Sequence, residues 1–246
     1  MTKDAGREFM RKTTYRNLEE SDQQKGLPQP PLELPCDAAQ LLIDLPAPKT
    51  IDLGHHDLRA AIEGRRSVRN YAAQPLTLAE LSYLLWCTQG VKEVIGTHAT
   101  LRTVPSAGAR HAFETYVLAN RVEGLEPGLY RFLAIAHRLL PVNLSRNLAD
   151  RVAEAALHQE FIKASGVTFI WTAVAYRMLW RYGERGYRYL HLDAGHVCQN
   201  LYLAAGAIGC GACAIAAFDD EAMNATLGID GEAQFTIYLA TVGKKQ

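Results

Sequence analysis

Five consecutive residues, Arg65-Arg66-Ser67-Val68-Arg69, set three guanidiniums and a hydroxyl side by side. Guanidinium forks grip a phosphate dianion through charge-assisted, bidentate hydrogen bonds, and a serine hydroxyl adds a neutral donor. The same run also serves as a plain solvated basic loop, and residue types alone do not separate the two. A second stretch, Pro105-Ser106-Ala107-Gly108, offers a hydroxyl and backbone N–H groups with little bulk around them. That suits close approach to a planar ligand or an anion, and equally an ordinary turn ahead of a strand. Lys244 and Lys245 close a predicted final strand. They add positive charge to the first cluster if that strand ends beside Arg65 and Arg69.

Other chemistry-bearing residues are less specific. Cys210 and Cys213 form a C-x-x-C pair. No thioredoxin-like pattern surrounds it, and Cys36, Cys87 and Cys198 supply no second pair for zinc, so small buried side chains are the better reading. His191 and His196 stand five apart, the wrong spacing for two metal ligands on one helical face. No metal is expected. Gln199 and Asn200 interrupt an apolar helix with two amides that need partners, in a ligand or in a neighbouring loop. His111 and Tyr187 are candidates to reach a substrate, and no catalytic residue is assigned. Neither a G-x-G-x-x-G nor a G-x-x-x-x-G-K-[ST] motif is present, and no nucleophile signature.

Composition narrows the class. The chain has 246 residues, of which 48% are apolar and 21% charged, with 26 basic and 26 acidic side chains. No global basic excess points to nucleic acid or a membrane surface. The first twelve residues lack an apolar core and are no secretory signal. The longest apolar run, near Val167–Tyr176, is too short to span a bilayer. An odd count of five cysteines in a chain of this size points to reduced thiols in the cytoplasm.

The elements that must position these groups centre on residues 188–220. Leu190, Ala194, Val197, Leu201, Ala204 and Ile208 recur at steps of four and three, one face of a helix. Leu192, Gly195, Cys198, Tyr202 and Ala205 cover a neighbouring face, so the helix belongs in a core or between subunits. Gly206 and Gly209 stop it, and residues 210–218 read as a small-residue buried strand. Upstream, residues 4–20 suggest a charged amphipathic helix. Residues 28–48 carry six of the ten prolines and predict an extended arm that wraps a partner subunit. A short helix over 57–64 precedes the basic run. Thr77 and Glu80 form a capping box opening a second helix that ends at Gly90. Residues 91–111 read as loop. Strands are expected over 113–119, 129–133, 138–142, 167–176 and 235–242, with helices over 146–157 and 219–227. Helices and strands do not alternate regularly, so the expected class is α+β, with a mostly antiparallel sheet of about five strands. The expected organisation is a helix and proline-rich arm over 1–50 and one folded domain over 51–246.

Taken in order, RRSVRNY, PSAGARHAFETYV, HLDAGHVCQNLYLAAGAIGCGACAIAAFDD and a basic tail resemble the nitroreductase-like FMN flavoproteins. The PSAG loop, RYGERGYRYLHLDAGH, the late AFDD and the LPQPPLELP arm resemble the SagB-type dehydrogenase branch. The resemblance implies an intertwined homodimer with FMN between subunits. Arg65, Arg66, Ser67 and Arg69 would hold its phosphate and ribityl chain, with Lys244 or Lys245 adding charge. Pro105, Ser106, Ala107 and Gly108 would edge the flavin from the other subunit. Ala216 and Ala217 occupy the place where backbone N–H groups approach flavin N5 and the pyrimidine edge, although related sequences carry Gly or Glu at the first of these. Gln199 matches a recurring position near the cofactor. The implied activity is hydride transfer through flavin N5, oxidising azolines in a peptide to azoles. An NAD(P)H-dependent reductase of small nitro or quinone compounds is the alternative, and a flavin-binding protein without turnover a further one.

Overall fold

Residues 4–37, 39–54 and 56–246 are described by a computed structural model of the chain. Residues 1–3 and 38, part of the expected N-terminal segment, lie outside the described residues. In order, the elements are α1 (Ala5–Lys12), β1 (Ile43–Asp44), α2 (Leu58–Gly64), α3 (Leu78–Gln89), β2 (Val91–Ile95), β3 (Ala99–Arg102), β4 (Phe113–Ala119), β5 (Gly128–Leu133), β6 (Arg138–Asn143), α4 (Leu148–Ala155), α5 (Phe161–Ala164), β7 (Val167–Val174), α6 (Tyr176–Tyr182), α7 (Gly186–Ala207), β8 (Cys210–Ile215), α8 (Asp220–Leu227) and β9 (Gln234–Lys244).

The class is α+β as expected, but the main sheet has seven strands rather than five, in the order β1-β6-β5-β4-β7-β9-β8, every pair antiparallel. Its central strand explains the near-continuous apolar run. Val167, Phe169, Trp171 and Ala173 of β7 face a core shared with α3 and α7, while Ile170 faces a second core under α4 and α8. A strand covered on both faces has no polar side to show. It ends two residues early because Ala175 adopts helical backbone and starts α6.

Three further expectations are corrected. The supposed loop at 91–111 contains the hairpin β2–β3, with Gly96 at positive φ in its turn. Most of β2 is exposed, and Lys92 and Glu93 break the alternation that marks a half-buried strand. The small-residue strand stops at Ile215, not 218. The arm packs on its own chain. Trp180 donates to the Leu27 carbonyl, Arg177 to Pro31, and Arg131 to Leu34 and Pro35, while Leu34 N–H donates to Glu114. Further on the arm adds β1 to the sheet edge. Beneath it Arg177 and Glu114 form a buried ion pair at 2.7 Å. Buried charges of this kind persist only when paired and hydrogen-bonded.

The capping box at α3 forms as the sequence predicts, Thr77 and Glu80 exchanging side-chain to backbone bonds of 3.2 and 2.9 Å. On α7 the first apolar line is buried from Leu190 to Ala204. The second face is split: Cys198 and Ala205 are buried, whereas Leu192, Gly195, Gln199 and Gly206 stay exposed along one stripe, with Tyr202 half-buried beside it.

Candidate functional site

The basic run leaves α2 and is laid against the ends of β8 and β9. Val68 N–H donates to Ala212 O and Ala72 N–H to Lys244 O, both at 2.9 Å. Two glycines make room for it. Gly211 and Gly243 are cross-strand partners. A Cβ on Gly211 would lie 2.6 Å from Val68 Cβ, and one on Gly243 2.7 Å from the Tyr71 ring. The Tyr71 hydroxyl then donates to Val68 O at 2.6 Å. Bare backbone is what lets the segment sit so close.

This seating opens a cleft of about 230 Å³ lined by Arg65, Arg66, Tyr202, Gly206 and Lys245, with His56 and Asp57 at its rim. The Asp57 carboxylate is engaged, capping α2 through Arg59 N–H at 2.8 Å. Arg65, Arg66 and Arg69 form no ion pair among the described residues. Ser67 Oγ lies 2.9 Å from the Tyr202 hydroxyl, whose oxygen also accepts from Ala214 N–H at 2.8 Å. The Arg65 guanidinium stacks over the Tyr202 ring at 5.2 Å. Tyr202 thus ties the basic run, α7 and β8 together. Its sequence signal was only membership of an apolar line.

The other candidates divide. Lys244 is paired with Glu80, so Lys245 is the lysine that faces the cleft. Arg69 lies over the Phe161 ring at 5.8 Å, on the side of the Cys213 thiol. Ala216 and Ala217 are exposed just past β8, and their N–H groups have no partner among the described residues. Gln159 holds the Ala217 carbonyl at 2.9 Å. Asn200 is structural, donating to the Cys87 carbonyl in the last turn of α3.

Pro105, Ser106, Ala107 and Gly108 stand apart from this cleft. Ala107 N–H donates to buried Asp193 on α7 at 3.2 Å, and Ser106 Oγ accepts from His111 N–H at 2.9 Å. Burial raises the Asp193 carboxyl above the usual range, opposed by the Ser106 hydroxyl and Ala107 N–H. Asp193 and Tyr202 are nine residues apart, about 14 Å along a helix and about half a turn around it. One chain therefore holds the loop and the cleft on opposite flanks of the exposed α7 stripe.

His111 does not reach solvent. It is 5% exposed, and burial with Arg102 and Arg110 nearby pushes its pKa down to about 3. Tyr187 stacks on Phe235 at 6.4 Å. Cys210 and Cys213 are free and buried, three positions apart on a strand and so on opposite faces. No metal-ligating cluster occurs among the described residues, and no helix among them is long and apolar enough to cross a membrane.

Comparison with known proteins bears on the family and the fold. The nitroreductase family model matches residues 62–244, from α2 through β9. A Methanocaldococcus jannaschii protein named as a nitroreductase is 37% identical over 194 residues, 79% of this chain and 94% of its own. The trifolitoxin-processing protein TfxB of Rhizobium leguminosarum is 32% identical over 142 residues, 54% of this chain and 38% of that protein. Among solved structures, a nitroreductase-named chain from Anabaena variabilis superimposes with a TM-score of 0.69 at 29% identity, covering 85% of this chain but 42% of that one. The McbBCD microcin synthetase complex of Escherichia coli, at 19% identity and a TM-score of 0.62, shares the fold. The chain belongs to the nitroreductase family and is an oxidoreductase.

Proposed function

We propose that the chain binds FMN and uses it as a SagB-type dehydrogenase, oxidising azoline rings in a peptide to azoles. The observation that carries the cofactor reading is the convergence of Arg65, Arg66 and Lys245 on one cleft, with Ser67 beside it on the hydroxyl of cleft-lining Tyr202. Three cations and a hydroxyl, with the rim carboxylate engaged elsewhere, match a phosphate dianion. Bound there, FMN supplies hydride exchange at N5, chemistry that belongs to the cofactor. The chain supplies grip and orientation. Arg65, Arg66, Ser67 and Lys245 would hold the phosphate, and the free N–H groups of Ala216 and Ala217 would face the ring edge. This explains why no side chain in the cleft looks like a nucleophile.

A second copy of the chain completes the reading. The exposed stripe of α7 runs between the cleft and the Pro105–Gly108 loop. Two copies packed on that stripe would carry the loop of one toward the cleft of the other. The likeness to a trifolitoxin-processing protein favours a peptide substrate. The archaeal relative, matched over 94% of its length and named as a nitroreductase, favours the second reading, an NAD(P)H-dependent reductase of small nitro or quinone compounds.

The experiment is a visible absorption spectrum of the purified chain, followed by anaerobic addition of NADPH and, separately, of a thiazoline-containing peptide. Flavin bands bleached by the peptide alone support the dehydrogenase. Rapid bleaching by NADPH supports the reductase. A colourless protein that takes up no added FMN would sink both.

A further inference from the structure

Resting on the flavin reading above, we infer that Tyr202 is a positioning residue that makes the cleft select a phosphate-bearing flavin over its dephosphorylated form. Its hydroxyl turns Ser67 so that the serine's own proton faces the incoming anion.

An amide N–H can only donate, so the bond from Ala214 N–H at 2.8 Å makes the Tyr202 oxygen an acceptor. The phenol has one proton left to give, and Ser67 Oγ stands 2.9 Å away. Either oxygen of this pair can donate; in the inferred arrangement Tyr202 donates to Ser67, whose own hydroxyl proton is then released for another partner. The Cys213 thiol also lies beside Ser67, but sulfur is a weak acceptor and yields to a phosphate oxygen. The chain from Ala214 N–H through Tyr202 to Ser67 runs in one direction, and each bond polarises the next. It leaves a donor at Ser67, beside the cleft that Arg65, Arg66 and Lys245 already make positive.

The position is built rather than incidental. α7 holds Tyr202 between buried Leu201 and Ala205, and Arg65 stacks on its ring. One turn further on, Gly206 leaves the space open: beyond its chain neighbours and its own helix backbone, no atom lies within 4 Å of where a Cβ would be. Removing the hydroxyl alone keeps the ring under Arg65 and breaks only the relay.

The test measures the affinity of the full chain for FMN and for riboflavin by quenching of flavin fluorescence. In Tyr202→Phe the FMN-to-riboflavin affinity ratio is expected to fall about three- to tenfold, the range of one neutral hydrogen bond. Ser67→Ala lowers the ratio as well, and the double variant Ser67→Ala/Tyr202→Phe falls no further than Ser67→Ala alone. A merely structural role for Tyr202 would weaken both flavins equally and leave the ratio where it was. An unchanged ratio in Tyr202→Phe, additive losses in the double variant, or an unaltered chain that prefers neither flavin overturns the inference. Should Tyr202→Phe not fold, an unchanged ratio in Ser67→Ala alone overturns it. An unaltered chain that binds no flavin overturns the cofactor reading itself.

Discussion

Gly211 and Gly243 face each other across β8 and β9, and the side chains of Val68 and Tyr71 occupy the notch that the missing Cβ atoms leave. The basic run proposed to hold the phosphate is therefore located by two glycines that carry no side chain. Gly211→Ala puts a methyl 2.6 Å from Val68 Cβ, which must move. Overpacking of this kind costs about 1–3 kcal/mol. The displacement falls on Ser67 and Arg65. FMN affinity is expected to drop about tenfold or more, the loss of one charge-assisted bond, while circular dichroism shows the fold intact. Unchanged flavin affinity would show that the notch does not set the cleft.

Lys244 and Lys245 are neighbours with separate tasks. Lys244 and Glu80 are both largely buried and paired, and Glu80 also caps α3. Lys244→Met leaves that carboxylate uncompensated and is expected to lower the melting temperature of the flavin-free protein by several degrees, about 1–2 kcal/mol. Lys245→Met leaves the melting temperature where it was and weakens FMN about five- to tenfold. Differential scanning fluorimetry and flavin titration on the same pair of variants check the division. A reversed pattern would mean that Lys244 turns to the ligand.

His111 makes stability depend on pH. Its folded pKa of about 3 lies below the ordinary 6.5, so the unfolded chain takes up the proton first. The contribution is complete above pH 6.5 and is lost as pH falls toward 3, at up to about 1.4 kcal/mol per pH unit. His111 has φ of 42°, a conformation asparagine tolerates. Urea unfolding of the unaltered chain and of His111→Asn, at pH 7 and pH 4.5, isolates the effect. The unaltered chain should lose more stability between the two pH values. Equal losses would show that His111 carries a proton in the folded state.

What the sequence made legible was local. Thr77 and Glu80 lie within one turn, so their capping box was readable directly. The apolar line from Leu190 to Ala204 has helical period, and it is buried as that period requires. What stayed hidden depends on residues distant in sequence. The arm looked like a strap for a partner because nothing near it could cover it, yet its anchors Glu114 and Arg177 lie 80 and 146 residues further along the chain. The notch at Gly211 and Gly243 exists only once the register of β8 on β9 is known. Tyr202 reads as one more apolar helix residue until folding brings Ser67 and Ala214 to its hydroxyl.

The C-x-x-C pair is the motif most easily mistaken for chemistry. Strand geometry turns Cys210 and Cys213 to opposite faces, and both are buried and free. Burial pushes the Cys210 thiol up to about 11 and raises that of Cys213, so neither supplies a thiolate near neutral pH. A disulfide between them would require β8 to leave the sheet. The double variant Cys210→Ala/Cys213→Ala is therefore expected to retain electron exchange with the flavin, at a modest loss of stability from the deleted sulfur atoms. Iodoacetamide should label neither cysteine in the folded chain while both react in urea. Loss of electron exchange in a double variant that still binds flavin would return these two thiols to the reaction.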